Sequence, residues 1–149
     1  PGYLARFHFT ETRPDPTTAD ALAEAASSIV SVMGASAITC FTSSGSTVRR
    51  VARERPSASI LALTPRSDTA RKLGLTWGVH AVRTKDIGNF EEMIGKARRM
   101  ALRHGMSEKG GKIVVLAGGP FGTPGSTNVL HVAAIRGDEL KGRDESPSF

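Results

Sequence analysis

The chain has a single cysteine among its 149 residues, so it cannot close a disulfide within itself. That usage fits a reducing compartment, and Cys40, set in the apolar run from Ala37 to Phe41, reads as a small buried hydrophobe rather than a nucleophile. Aromatic residues make up only 5% of the chain, which removes the stacking platform of a dedicated nucleic-acid surface, and Lys and Arg are scattered over several expected helices. No apolar run approaches the roughly 20 residues of a membrane span. The stretch PGYLARFHF also lacks the extended apolar core of a secretory signal. Neither the Gly-Lys-Ser/Thr of a Walker loop nor the three spaced glycines of a dinucleotide fingerprint occurs. These absences point to a cytoplasmic protein with no membrane and no nucleic-acid partner. An independent enzyme using Cys40 or His80 would need a base beside the thiol or a carboxylate for the imidazole, and the sequence offers neither, nor a cluster of metal ligands.

The length suits one ordinary domain with a real core. Twenty Lys and Arg against 14 Asp and Glu give a formal charge of +6, which permits an anionic partner. Were that partner a nucleic acid, association would depend steeply on salt.

The most informative stretch is Thr42-Ser43-Ser44-Gly45-Ser46-Thr47. A β-prone run ends in five hydroxyl side chains around one glycine, and a helix pattern starts at Ser46. Four backbone N–H groups lack partners at the first turn of a helix and the peptide dipoles leave positive charge there, so an anion is favoured. Gly45 lets the backbone approach a ligand, while Thr42, Ser43, Ser44, Ser46 and Thr47 can donate to phosphate oxygens and Arg49 and Arg50 add charge. A plain capped turn would use the same residue types, since Ser and Thr are good N-caps.

Around this turn the chain alternates. Residues 1–16, with Pro14 and Pro16, read as an irregular leader. A helix capped by Thr17 or Thr18 runs to about Met33, with a buried stripe of Leu22, Ala25, Ile29 and Val32/Met33, and stops at Gly34. Strands are expected at Ala37–Phe41, from Ser57 or Ser59 to Thr64, at Val79–Arg83, at Lys112–Ala117 and from Val129 to Ile135. Helices fall from Ser46 to about Arg55, from Asp68 to about Leu75 with Ser67 as cap, and from Asn89 to His104 with Phe90, Met93, Ile94, Ala97 and Ala101 on one face. A glycine-rich loop from Gly118 to Asn128 opens no helix; it either folds over a ligand or merely connects two strands. Residues 136–149 read as a charged, disordered tail. Strand-helix alternation requires crossover connections and a parallel sheet, while the fifth strand, with no helix before it, should run antiparallel at an edge. The expected fold class is therefore α/β: a three-layer α/β/α sandwich on a five-stranded mixed sheet. Ligands in such sheets lie beyond the C-terminal strand ends, where the turns after Phe41 and Thr64 converge.

The blocks TSSGSTVRRVARERP, SILALTPRSDTARKLGLTWGV and KGGKIVVLAGGPFGTPGSTNVLHV closely resemble the C-terminal domain of pyruvate kinase, over about residues 17 to 135. The leader is similar to that family's connection from its catalytic barrel. The resemblance implies a regulatory domain of an enzyme transferring phosphate from phosphoenolpyruvate to ADP, or a stand-alone module that binds phosphometabolites. It implies no catalytic residue and no cofactor here, Mg²⁺ and K⁺ belonging to the barrel, so this chain alone is expected to be inactive. It maps the effector-phosphate loop onto Thr42, Ser43, Ser44, Gly45, Ser46 and Thr47, and a second effector loop onto Gly119, Pro120, Gly122, Gly125 and Ser126. The implied partners are the barrel, a phosphorylated effector and further copies of the chain. Where fructose-bisphosphate-activated members carry an arginine for the second phosphate, Met93 stands here, with Lys85 or Lys96 as substitutes. That implies a sugar monophosphate or an AMP-like effector.

Overall fold

The computed structural model of the protein describes residues 17–118 and 127–136. The expected leader, loop residues 119–126 and tail residues 137–149 lie outside them. The elements are α1 (Thr18–Met33), β1 (Ala37–Phe41), α2 (Ser46–Arg53), β2 (Ser59–Thr64), α3 (Ser67–Leu73), β3 (Val79–Arg83), α4 (Phe90–Arg103), β4 (Lys112–Ala117) and β5 (Val129–Ala134).

The five strands form one sheet in the order β3-β2-β1-β4-β5. All neighbours are parallel except β4 and β5, where Ala117 faces Val129 and Lys112 faces Ala134. Period-2 alternation splits the apolar residues between two faces. Ile38, Cys40, Ile60, Ala62, Val114 and Leu116 meet α1, α2 and α3 through Ala23, Ala26, Val30, Val48, Val51 and Leu73. Leu61, Leu63, Ile113, Val115 and Ala117 meet α4 through Met93, Ile94, Ala97, Met100 and Ala101. Each large side chain so buried stabilises by about 1.5–3 kcal/mol. The chain steps outward from β1 to β3 with α2 and α3 on one face and returns to β4 with α4 on the other, as crossovers of a single hand demand. The expected α/β/α sandwich with an antiparallel edge strand is the observed one.

Two local expectations need correction. The buried stripe of α1 is Ala19, Ala23, Ala26, Ser27 and Val30, one position round from the expected face. Small residues let the helix approach the sheet closely, leaving Leu22 and Ile29 on the rim, while Val32 is 85% exposed. In α3, Ser67 is the first helical residue and Arg66 the cap, and the Arg66 N–H donates to Thr64 Oγ1 at 3.2 Å instead.

Helix α4 spans the sheet from edge to edge. Near its start, Phe90 meets His131 of β5 edge to face at 5.3 Å. At its end, His104 lies 4.9 Å ring to ring from His80 of β3, with Nε2 of His80 3.2 Å from Nδ1 of His104.

Candidate functional site

Strand β1 ends where the Thr42 N–H donates to the Leu63 carbonyl at 3.0 Å, and the chain then folds on its own hydroxyls. The Gly45 N–H donates to Thr42 Oγ1 at 2.8 Å and the Ser46 N–H to Ser44 Oγ at 3.3 Å. Gly45 takes φ +89°, a left-handed conformation that side chains resist, and a Cβ there would stand 3.1 Å from Leu73 Cδ2. Helix α2 then begins with the Arg49 N–H on the Gly45 carbonyl at 3.1 Å. The N–H groups of Thr47 and Val48 precede that first intrahelical bond and have no assigned acceptor among the described residues.

The six turn residues are brought together but differ in access. Ser44 is exposed, Thr42, Ser43 and Ser46 are half-buried, and Gly45 and Thr47 are buried. Arg49 Nη1 donates to the Ser44 carbonyl at 3.2 Å, which keeps one cation on the turn. Arg50 does not serve as expected: its Nε donates to Asp20 Oδ1 at 3.0 Å, and Arg53 stands 3.7 Å from the same oxygen. Burial pushes the Asp20 pKa up, yet hydrogen bonds from the Thr17 backbone and hydroxyl, with the charge and hydrogen bond of Arg50, outweigh it and hold the carboxyl below its usual range.

Two further contacts join the turn to distant parts of the chain. Thr69 of α3 donates its hydroxyl to the Ser43 carbonyl at 2.8 Å. Thr47 Oγ1 is hydrogen-bonded to Thr127 Oγ1, 80 residues on. The turns after Phe41 and Thr64 thus converge as expected, and the exit of the glycine-rich loop joins them. The reason is topological: β1, β2 and β4 run parallel and β5 antiparallel, so the turns after β1 and β2 and the start of β5 share one edge of the sheet. Loop residues Gly119, Pro120, Gly122, Gly125 and Ser126 lie outside the described residues. Neither Thr69 nor Thr127 is visible as a site residue in the sequence, because only the fold brings it to the turn.

The other candidate positions fall elsewhere. Cys40 is fully buried, and burial pushes its thiol up to about 12, far from a reactive thiolate. His80 finds His104 rather than a carboxylate. Met93, where the resemblance implies an arginine in bisphosphate-activated members, is fully buried in the core between α4 and the sheet. Lys96 donates from Nζ to the Lys85 carbonyl at 2.8 Å, bracing the connection into α4. Among the described residues no group of three or more His, Cys, Asp or Glu is placed to hold a metal ion. No described helix is long and apolar enough to cross a membrane.

Comparison with known proteins gives a consistent family. Residues 20–133 match the family model described as "Pyruvate kinase, alpha/beta domain". A pyruvate kinase of Methylorubrum extorquens is 44% identical over 124 residues, which are 83% of this chain and 26% of that protein. One from Agrobacterium vitis is 42% identical over 123 residues, 83% of this chain and 26% of the relative. One from Geobacillus stearothermophilus is 34% identical over 127 residues, 85% and 22% respectively. The chain spans about a quarter of the length of these relatives.

Proposed function

The chain belongs to the pyruvate kinase family, as its α/β domain, and from that premise we propose that it is a regulatory domain that binds a phosphorylated effector at Thr42–Thr47 and contributes to subunit assembly. The observation that carries this reading is the hydroxyl turn itself. A left-handed Gly45, the exposed hydroxyl of Ser44, the Thr47 and Val48 N–H groups and the Arg49 guanidinium meet where β1 ends. Backbone N–H groups at a helix start and short hydroxyl side chains suit a tetrahedral oxyanion. Because Arg50 is engaged by Asp20, one turn offers one cation at close range, which favours a sugar monophosphate or an AMP-like molecule over a bisphosphate.

Transmission follows from the Thr47–Thr127 contact. Thr127 stands two residues before β5, so an effector that moves the turn relative to Thr127 moves the root of the edge strand. Among the described residues strand β5 pairs with β4 alone, and its outer backbone groups suit pairing with a second copy across a two-fold axis. The catalytic barrel of a pyruvate kinase, acting on phosphoenolpyruvate and ADP, is the second partner of this reading. An effector regulates only by binding one arrangement of subunits more tightly than the other.

The test is calorimetric titration with fructose bisphosphate, glucose 6-phosphate, ribose 5-phosphate and AMP. One monophosphate should bind saturably, and Ser44→Glu, which sets a carboxylate on the turn, should weaken it by at least about tenfold. Binding by none of the four, or equal affinity in the variant, refutes the pocket.

A further inference from the structure

Strand β3 lies at an edge of the sheet, and its residues alternate between the two faces. Val79 and Ala81 pack on the side of α2 and α3, whereas Val82 joins the core under α4. His80 shares the Val82 face and so points to the side on which α4 ends with His104 as its cap. The two rings meet there, with Nε2 of His80 3.2 Å from Nδ1 of His104. His80 is exposed and His104 half-buried, so water and ions reach the pair. Helix α4 carries the chain back between parallel strands, which puts its end, and this pair, away from the strand ends that bear the hydroxyl turn.

We propose that His80 Nε2 and His104 Nδ1 together bind one divalent transition-metal ion of the zinc and nickel class. Imidazole nitrogen suits zinc, copper and nickel, while magnesium and calcium prefer oxygen. With zinc–nitrogen bonds of about 2.0–2.1 Å, an ion equidistant from two nitrogens 3.2 Å apart closes an angle of about 100°, near tetrahedral. Water fills the other positions. The proton now shared by the rings passes to the outer nitrogen of the donating one, so the ion displaces no proton. Burial, then the charges of His80 and Arg103, hold His104 below its ordinary value, which leaves lone pairs rather than two cations near neutral pH. The negative end of the α4 dipole favours a cation at its cap and offsets the neighbouring Arg103. An ion bound here clamps the free edge of the sheet to the end of α4, and because the unfolded chain lacks the paired geometry, it stabilises the fold.

Long-range proton–nitrogen NMR of the imidazole rings tests this on the ¹⁵N-labelled 149-residue chain, titrated with zinc chloride at pH 7.5 in a non-coordinating buffer, with magnesium chloride as control. Zinc should shift His80 Nε2 and His104 Nδ1 together and saturate at one ion per chain, and EDTA should reverse it. His80→Gln, at an exposed position that leaves the fold intact, should weaken zinc at least tenfold, as should His104→Gln. Replacing the chain's other two histidines, His8→Gln with His131→Gln, should leave the affinity within threefold. Zinc should also raise Tm in the native chain and not in His80→Gln. Shifts confined to His8 or His131, an equal response to magnesium, or affinity that survives both His80→Gln and His104→Gln would overturn the proposal.

Discussion

Replacing Gly45 with alanine should strike the candidate effector turn and the core together. Gly45 sits at φ +89°, where an L-residue costs about 1–2 kcal/mol from its own backbone. The new methyl would also meet Leu73 Cδ2 at 3.1 Å and Arg49 Nη1 at 3.2 Å. Arg49 is exposed and can swing away, but Leu73 is fully buried and can yield only by disturbing the packing around it, adding about 1 kcal/mol of overpacking. The sum, about 2–3 kcal/mol, lowers Tm by roughly 4–12 °C in a chain of this size. Gly34→Ala is the internal control, because Gly34 also has positive φ, +67°, but nothing lies within 4 Å of its would-be Cβ. Calorimetric melting of both variants separates the two effects: Gly34→Ala should show the backbone cost alone and Gly45→Ala the larger loss. Equal losses would refute the Leu73 contact, and no loss in either would refute the left-handed backbone argument. Phosphate-ester binding should fall in Gly45→Ala only, since its strain displaces the Thr47 and Val48 N–H groups.

Further substitutions probe other links. Thr39 is fully buried with no partner for its hydroxyl among the described residues, so Thr39→Val should raise stability by about 1 kcal/mol in urea denaturation; a loss would mean that the hydroxyl is satisfied. Asp20→Ala removes the capping box with Thr17 and the pair with Arg50, and should cost about 1–2 kcal/mol, measured the same way. His104 is held below its ordinary value of 6.5 by burial, then by the charges of His80 and Arg103. The unfolded chain therefore binds a proton there before the folded one does, and stability should fall as pH drops through about 6.5. The urea midpoint should be lower at pH 5.5 than at 7.5, and His104→Gln should shrink that difference; an unchanged difference would place the titration elsewhere.

The fold was legible because each element announced itself locally. Strands β3 and β4 fall on the expected residues, and Asn89 caps α4 as its position before a periodic helix implies, accepting from the Glu92 N–H at 2.9 Å. The α1 face was misread because periodicity weighted toward large apolar residues ranks Leu22 and Val32 above alanine. Close helix-sheet packing prefers the smaller side chains, and the C-terminal turn of α1 leaves Val32 exposed. Arg50 was misassigned for a related reason. Proximity in sequence to the hydroxyl turn suggested a ligand role, whereas a helical residue one position beyond Arg49 points about 100° away, here toward Asp20 of α1.

The hydroxyl turn itself could be found from residues 42–47, but its connections could not. Thr69 and Thr127 are ordinary threonines until strand order places the starts of α3 and β5 beside α2. On the proposed reading, their contacts couple the turn to the rest of the sheet, as a simple capped turn would not. A capped turn needs only the Thr42 and Ser44 hydroxyls that close it. Here the same six residues also carry a bond outward to α3 and another to the root of the antiparallel edge strand, so a ligand that reshapes the turn must strain or release both. An anion held by a turn with neither connection would bind without consequence, since coupling requires an element whose position the ligand changes. The double variant Thr69→Val with Thr127→Val therefore separates binding from transmission. It should retain phosphate-ester affinity within about threefold, a difference below 1 kcal/mol, while abolishing ligand-induced amide shifts in β3 and β5. Persistence of those shifts would mean that the signal leaves the turn by another route.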